Sequence, residues 1–452
     1  LSDINRKDKP HSQRKSKVEL TPTPLDAFLT PVYYPDMHAL HKILARASGK
    51  GEVTPGQIVT CKVDLCEVND LYLQVIRSFD ALGATTVFDP DKVVFVLDHY
   101  APAPTIKSAA NQKVMREFVL KHGIRHLFDI NQGICHQVMA ETGLVYPGLL
   151  LVATDSHTTT HGALGAFGTG VGATDLAIVL TRGELWFRVP EVMQIAIAGR
   201  LQPAVMAKDV ILHVIRTLGT DAAVYKAIEF TGDTIAGLSM SERMVLCNMS
   251  VEMGAKTAYV QPDAVTEAYL KDRACHPHTV STTDNDFVYD AVTKHEVDTL
   301  EPQVALPHSV DNVVPISEVE PVKVDQAFIG TCTGGRLEDI ATAAKIIRGK
   351  KIARQTRLLV IPASRRVCLE AIDQGYARVL MEAGAVLSAP GCGPCLGAHQ
   401  GILAAGETCI SASSRNFQGR MGSGDARIYL ASPATVAASA IAGKITDPRR
   451  YL

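Results

Sequence analysis

From about residue 37 onward, short apolar runs alternate with longer segments of helical period. "KVVFVLDH" (92–99), "PGLLLVATDSH" (147–157), "EVMQIAIAGRL" (191–201), "VDQAFIGTCTGG" (324–335) and "RLLVIPAS" (357–364) are nearly continuous apolar runs of strand length. Such runs mark strands buried on both faces. Between them, "DVILHVIRTLG" (209–219), "LEDIATAAKIIRG" (337–349) and "PATVAASAIAGKI" (433–445) carry the period of helices. The alternation predicts an α/β fold with mostly parallel sheets around a central cleft. Seams are expected near 190–205 and 300–322, the second being the proline-rich "EPQVALPHSVDNVVPISEVEP". Three α/β domains are therefore expected, at 37–200, 201–320 and 321–452, with no internal repeat. Residues 1–36 differ: "RKDKPHSQRKSK" is basic and without hydrophobic period, and a stretch with four prolines follows. They predict a disordered extension, and Asp3 and Asp8 argue against an organellar transit peptide.

Length and composition narrow the functional classes. A chain of 452 residues has room for about three domains and needs neither disulfide nor metal simply to fold. Lys plus Arg number 45 against 47 for Asp plus Glu, a net charge of −2. That balance offers no electrostatic case for nucleic acid or an anionic membrane as a partner. No eighteen-residue apolar window predicts a membrane span. Ten cysteines are too few for a disulfide scaffold. Those at 61, 66, 135, 247, 275, 368 and 409 read as small buried hydrophobes in a reducing, cytoplasmic setting.

The reactive residues gather just after the predicted strands: Asp98 and His99, Asp155 to His157, Cys332, then Cys392 and Cys395. Ligands of open α/β sheets bind at the carboxyl ends of strands, so these ends predict one shared cleft. Cys392 and Cys395 lie in "PGCGPCLGAHQG". A structural disulfide does not suit the compartment, and the glycines do not suit the helix start of a thioredoxin-like pair. Two readings remain. Cys332, Cys392, Cys395 and His399 could close a four-ligand zinc site. Alternatively, the glycine-bent CxxC and Cys332 on a strand-to-helix turn could hold an iron–sulfur cluster. Three thiolates would leave one iron open, which implies Lewis-acid catalysis more readily than electron transfer.

The motifs "DHYAPAP", "GICHQV", "TDSHTTTHGALGAFGTGVGATD", "CNMSVEMGA", "IGTCTGGRLED", "PGCGPCLGAHQG", "SSRNFQGRMG" and "LASPATVAASAIAGKI" resemble, in this order, those of the aconitase superfamily. The resemblance covers about 37–452. It looks strongest to the branch of isopropylmalate, homoaconitate and dimethylmalate hydro-lyases built from large and small subunits. It implies a three-domain aconitase-like fold lacking the swivelling fourth domain. Cys332, Cys392 and Cys395 match the ligands of a [4Fe–4S] cluster with one iron free of protein. Asp98 and His99 match an acid–imidazole pair, with His99 the expected proton donor to a departing hydroxyl. His136 matches a histidine partnered by Asp155, and His157 one partnered by Glu252. Ser156 and Asn248 match substrate-side hydrogen-bonding positions, Arg415 and Arg420 match carboxylate-binding arginines, and Asn69 loosely matches an amide contacting substrate.

The chemistry so implied is dehydration and rehydration of a small 2- or 3-hydroxy dicarboxylate, with isomerisation of 2- and 3-isopropylmalate in leucine biosynthesis expected first. Homoaconitase and dimethylmalate dehydratase are the alternatives. The resemblance also implies a base that this chain does not supply: a serine on the swivelling domain, expected on a small partner subunit, without which no useful activity is expected. Two positions depart from the family pattern: Ser414 stands where many relatives have asparagine, and Gly334 replaces an amide near the cluster. A different class, a zinc-stabilised binding module without activity, is distinguished by colour, since a thiolate-bound cluster is brown. "GTGVG" (168–172) lacks the setting of a nucleotide loop and is expected to serve tight packing beside the cleft.

Overall fold

A computed structural model describes residues 36–273 and 277–452; the expectation for residues 1–35 lies outside the described residues. The buried apolar runs form three sheets. The first has the order 126–128, 93–96, 65–69, 150–153, 167–170, with every neighbour parallel. Its middle strand, Leu65–Asn69, is buried at every position, as two covered faces demand. The second places 257–259, 227–231, 192–198 and 291–296 side by side, again all parallel. The third has seven strands, of which 427–431, 408–411, 326–329, 357–360 and 386–387 run parallel. Its edge strands 303–305 and 313–315 are antiparallel. A separate ribbon pairs Ile58–Lys62 with Glu184–Arg188.

The strand Val192–Ala198 already belongs to the second sheet, and Gln303–Ala305 already belongs to the third. Sheet membership thus changes before the expected boundaries at 200 and 320. The helical patterns fold as Ala207–Leu218, Leu337–Ile347 and Pro433–Ala442. One apolar core runs from Leu65 and Val94 through Ile195 and Ile211 to Phe328 and Cys332, so residues 36–452 form one compact unit. No helix among the described residues is long and apolar enough to cross a membrane.

The parallel registers decide where the chemistry falls. Asp98 follows the strand Val93–Val96, Asp155 follows Leu150–Ala153, Cys332 follows Gln326–Ile329, and Ser414 follows Thr408–Ser411. Because neighbouring strands point the same way, their carboxyl ends open on the same side of each sheet.

Candidate active site

A small cavity of about 30 Å³ lies where these strand ends meet. Its wall includes His99, His136, Asp155 and His157 together with Cys332, Cys392, Cys395 and Arg420. Its acid–base equipment is built from paired groups. Asp98 Oδ1 accepts the Nδ1 hydrogen of His99 at 2.7 Å, and Asp98 Oδ2 accepts from the backbone N–H of Cys135 at 2.9 Å. The carbonyl oxygen of Asp98 accepts from Cys392 N–H at 3.0 Å, which ties the acid to the CxxC loop. Burial opposes charge on His99, but Asp98, Cys392 and Asp70 overcome it and hold the imidazole pKa well above its ordinary value. The ring is therefore a protonated donor at neutral pH.

Asp155 caps the 3-10 turn Ser156–Leu164 by accepting from His157 N–H at 2.8 Å. The same oxygen lies 3.1 Å from Nε2 of His136. Burial would raise the Asp155 pKa; the bonds from His136 and His157 outweigh it and hold the carboxyl well below the usual carboxylate range. His157 Nε2 lies 2.9 Å from Glu252 Oε1, which also accepts from Arg415 Nε at 2.7 Å. Arg415 then reaches Ser156 Oγ at 3.2 Å. Ser156, Arg415 and Glu252 thus form a linked row beside the cavity rather than part of its wall.

Arg420 is on the wall, and its buried Nε has no hydrogen-bond partner. An unpaired buried guanidinium donor suits a carboxylate ligand. Asn69 and Asn248 stand back from the wall. Asn69 is fully buried; its Oδ1 accepts from Leu71 N–H while its Nδ2 is unpaired. Asn248 gives its amide hydrogens to Thr160 Oγ1 at 2.7 Å and to Cys332 Sγ at 3.2 Å, which places it against a sulfur.

The thiols fit an iron–sulfur cluster better than one ion. Among the described residues, the ligand-atom triplets lying within 4.8 Å of one another are Asp98–His99–Cys392 and His136–Asp155–His157. The three sulfurs together are not such a set. Zinc would hold each sulfur at about 2.3 Å and so draw them close together, whereas ligands of different irons stand further apart. His399 is turned away, with its Nε2 2.6 Å from the carbonyl of Pro102. Cys135 also lines the cavity, which its reading as a plain buried hydrophobe did not foresee. Burial, and then the negative charge of Asp98, raise its pKa well above the ordinary thiol value. Burial also raises Cys332, to about 12, but Arg336 and the Asn248 amide favour its thiolate, as a metal ligand requires.

Several contributors escaped the sequence reading. Asp70 accepts from the backbone N–H groups of His99 at 2.9 Å and Tyr100 at 3.0 Å, fixing the acid loop. It follows Asn69 at a strand end, the one signal that could have found it. Glu67 is buried with neither oxygen paired; burial, Asp98 and Asp155 push its pKa well up, leaving a neutral acid. Thr331 adopts φ of 71°, a conformation rare outside glycine, immediately before Cys332. His122 is packed between Phe79 and Phe118, and its Nε2 is unpaired. The two departures also gain a setting. Ser414 lines the cavity, and a Cβ at Gly334 would lie 2.3 Å from that of Ala412. Glycine there makes room for a neighbouring chain. In "GTGVG", a Cβ at Gly170 would lie 2.7 Å from the carbonyl oxygen of Asp155, so this segment packs directly under the acid.

Parallel strand ends that bring paired imidazoles and a guanidinium up to three cysteines define an α/β metalloenzyme working by acid–base chemistry. The chain belongs to the aconitase family (aconitate hydratase), whose sequence profile matches residues 73–323 and 317–443. It is 49% identical over 413 residues to a probable 3-isopropylmalate dehydratase large subunit of Methanothermobacter thermautotrophicus, covering 91% of this chain and 99% of the relative. A 3-isopropylmalate dehydratase large subunit of Methanopyrus kandleri is 50% identical over 412 residues, or 91% and 98% of the two chains. A probable methanogen homoaconitase large subunit of Methanosarcina mazei is 51% identical over 375 residues, or 83% and 95%.

Proposed function

We propose that this chain is the large subunit of a hydro-lyase that interconverts 2- and 3-isopropylmalate by removing and re-adding water. The observation that carries this is one cavity with two kinds of equipment: three cysteines and a protonated imidazole beside a carboxylate. They occur in a chain about half identical, over nearly its whole length, to proteins of that name.

When bound, a [4Fe–4S] cluster held by Cys332, Cys392 and Cys395 supplies a Lewis acid at the iron that no protein ligand occupies. The rest of the reaction falls to side chains. Hydroxide leaves poorly, so His99 delivers the Nε2 proton as the C–O bond breaks, and Asp98 at Nδ1 stabilises the ring throughout. On rehydration the same ring takes the proton back from water. Asp155 orients His136 from Nε2, and Asp155 with Glu252 orients His157 from both ring nitrogens, so neither ring is an undirected base. Arg420 receives one substrate carboxylate on its unpaired edge. Arg415, held beside the cavity by Glu252 and Ser156, meets the other carboxylate where the substrate extends past the wall. The relatives' name of large subunit supports a small partner subunit, and to that subunit we assign the serine that removes the C–H proton.

An anaerobic assay of this chain with the small subunit, against 2- and 3-isopropylmalate, homocitrate and dimethylmalate, tests the proposal. Turnover of the isopropylmalates, absent when the small subunit is omitted, is expected. Turnover confined to the homocitrate series would make the chain a homoaconitase subunit. A colourless protein holding zinc and turning over nothing would refute the proposal.

A further inference from the structure

Three cations among the described residues are fully buried: Lys208, Arg243 and Arg336. Arg243 is neutralised in the ordinary way, by two bonds of 2.7 Å to Asp263. Lys208, in the first turn of the helix Ala207–Leu218, has no carboxylate in hydrogen-bond reach. Its Nζ instead donates to the carbonyl oxygens of Ser413 at 2.6 Å and Ala412 at 3.3 Å, and to Thr333 Oγ1 at 3.4 Å. These partners belong to the two loops that carry Cys332 and Ser414. A buried charge with only neutral partners is costly, so something negative nearby must offset it.

The candidates are few. The strongest negative influences on Lys208 are Cys332 and Cys395, then Glu252 and Asp339; Asp209, next in the chain, also faces it, but its two oxygens already accept from the backbone N–H groups of Gln303 and Met206. Glu252 is already shared between His157 and Arg415. Asp339 caps its own helix through Arg336 N–H, and burial pushes it up to about 7. The sulfurs remain. Three thiolates on a cluster core of two positive charges would leave one net negative charge, answered by Lys208 and by Arg336, whose Nε donates to Gln137 and whose Nη1 and Nη2 are unpaired.

We infer that Lys208 is a buried counter-charge of the thiolate-bound cluster, a positioning residue that helps to set the cluster's potential and its hold on iron. The inference rests on the cluster reading above, and the test separates the two. Wild-type protein is reconstituted anaerobically and its cluster recorded by visible absorption and electron paramagnetic resonance. No cluster in wild type would sink the cluster reading itself. With the cluster present, Lys208→Met, which keeps length without charge, is expected to shift the midpoint potential negative and to speed iron loss in air. The gain in melting temperature on loading the cluster should also shrink. Lys208→Arg, which keeps the charge, should hold the potential nearer wild type. A potential and a loading gain unchanged in Lys208→Met would overturn the inference, even if both forms melted lower. Lys208 would then only fasten two loops.

Discussion

Replacing Asp98 by asparagine tests the acid side of the site with little steric change. The side chain keeps its size and an oxygen for Cys135 N–H, and the backbone bond from Asp98 to Cys392 is untouched. What is lost is a 2.7 Å charge-assisted bond to His99. Bonds to charged groups contribute about 1.5–3 kcal/mol, which corresponds to about 10- to 150-fold in rate. The imidazole itself remains, so the loss should stay below the roughly 10²–10⁴-fold expected for deleting a general acid, as in His99→Asn. The sign of the pH effect follows from the direction of the shift. In the wild type Asp98 helps to raise the His99 pKa, so the proton is present at neutral pH and lost only as pH rises through that raised value. Removing the carboxylate lowers the pKa, and the alkaline limb of kcat should move toward neutrality. The stability that His99 contributes, present below its unfolded pKa, should likewise vanish earlier on the alkaline side. The assay is steady-state kinetics of the anaerobic two-subunit enzyme across pH, with iron content and visible absorption matched to wild type. A fully loaded Asp98→Asn enzyme with unchanged kcat and an unmoved alkaline limb would refute the assignment of His99 as proton donor.

The thiols separate by colour: serine at 332, 392 or 395 should abolish the brown chromophore and its iron, whereas Cys135→Ala should retain both. Arg420→Lys loses the planar fork at the unpaired edge, so KM for the dicarboxylate should rise by about 10- to 100-fold, a binding loss of about 1.5–3 kcal/mol; an unchanged KM would place the carboxylate elsewhere. Gly334→Asn drives a Cβ to 2.3 Å from that of Ala412. Overpacking of this kind costs about 1–3 kcal/mol, read as a lower denaturant midpoint that Ala412→Gly restores in part.

Much of this site was legible along the chain because its residues sit immediately after buried strands, and a buried parallel strand announces itself as an apolar run. Asp98, Asp155 and Cys332 could be placed at one crevice on that ground alone. The Asp98–His99 pair was legible because its members are adjacent. The partners supplied from afar were not: Glu252 meets His157 from 95 residues away, and only the family resemblance suggested it. Cys135 is buried in the apolar core as read, but its place on the cavity wall was not legible, because one cysteine in a helical pattern looks the same whether it faces the core or a cavity. Asn248 was expected at the substrate, and the structure turns its amide to Cys332.

Local pattern thus determined the element types, the parallel class and the loops that hold reactive groups, because periodicity and strand burial are written in neighbouring residues. Which loops meet was decided only by tertiary packing, through sheet order and registers that no short window contains. Lys208 shows the difference most plainly. In sequence it is an ordinary lysine at the start of an amphipathic helix. Only the approach of two distant loops strips it of water and leaves its charge to be answered by the sulfurs.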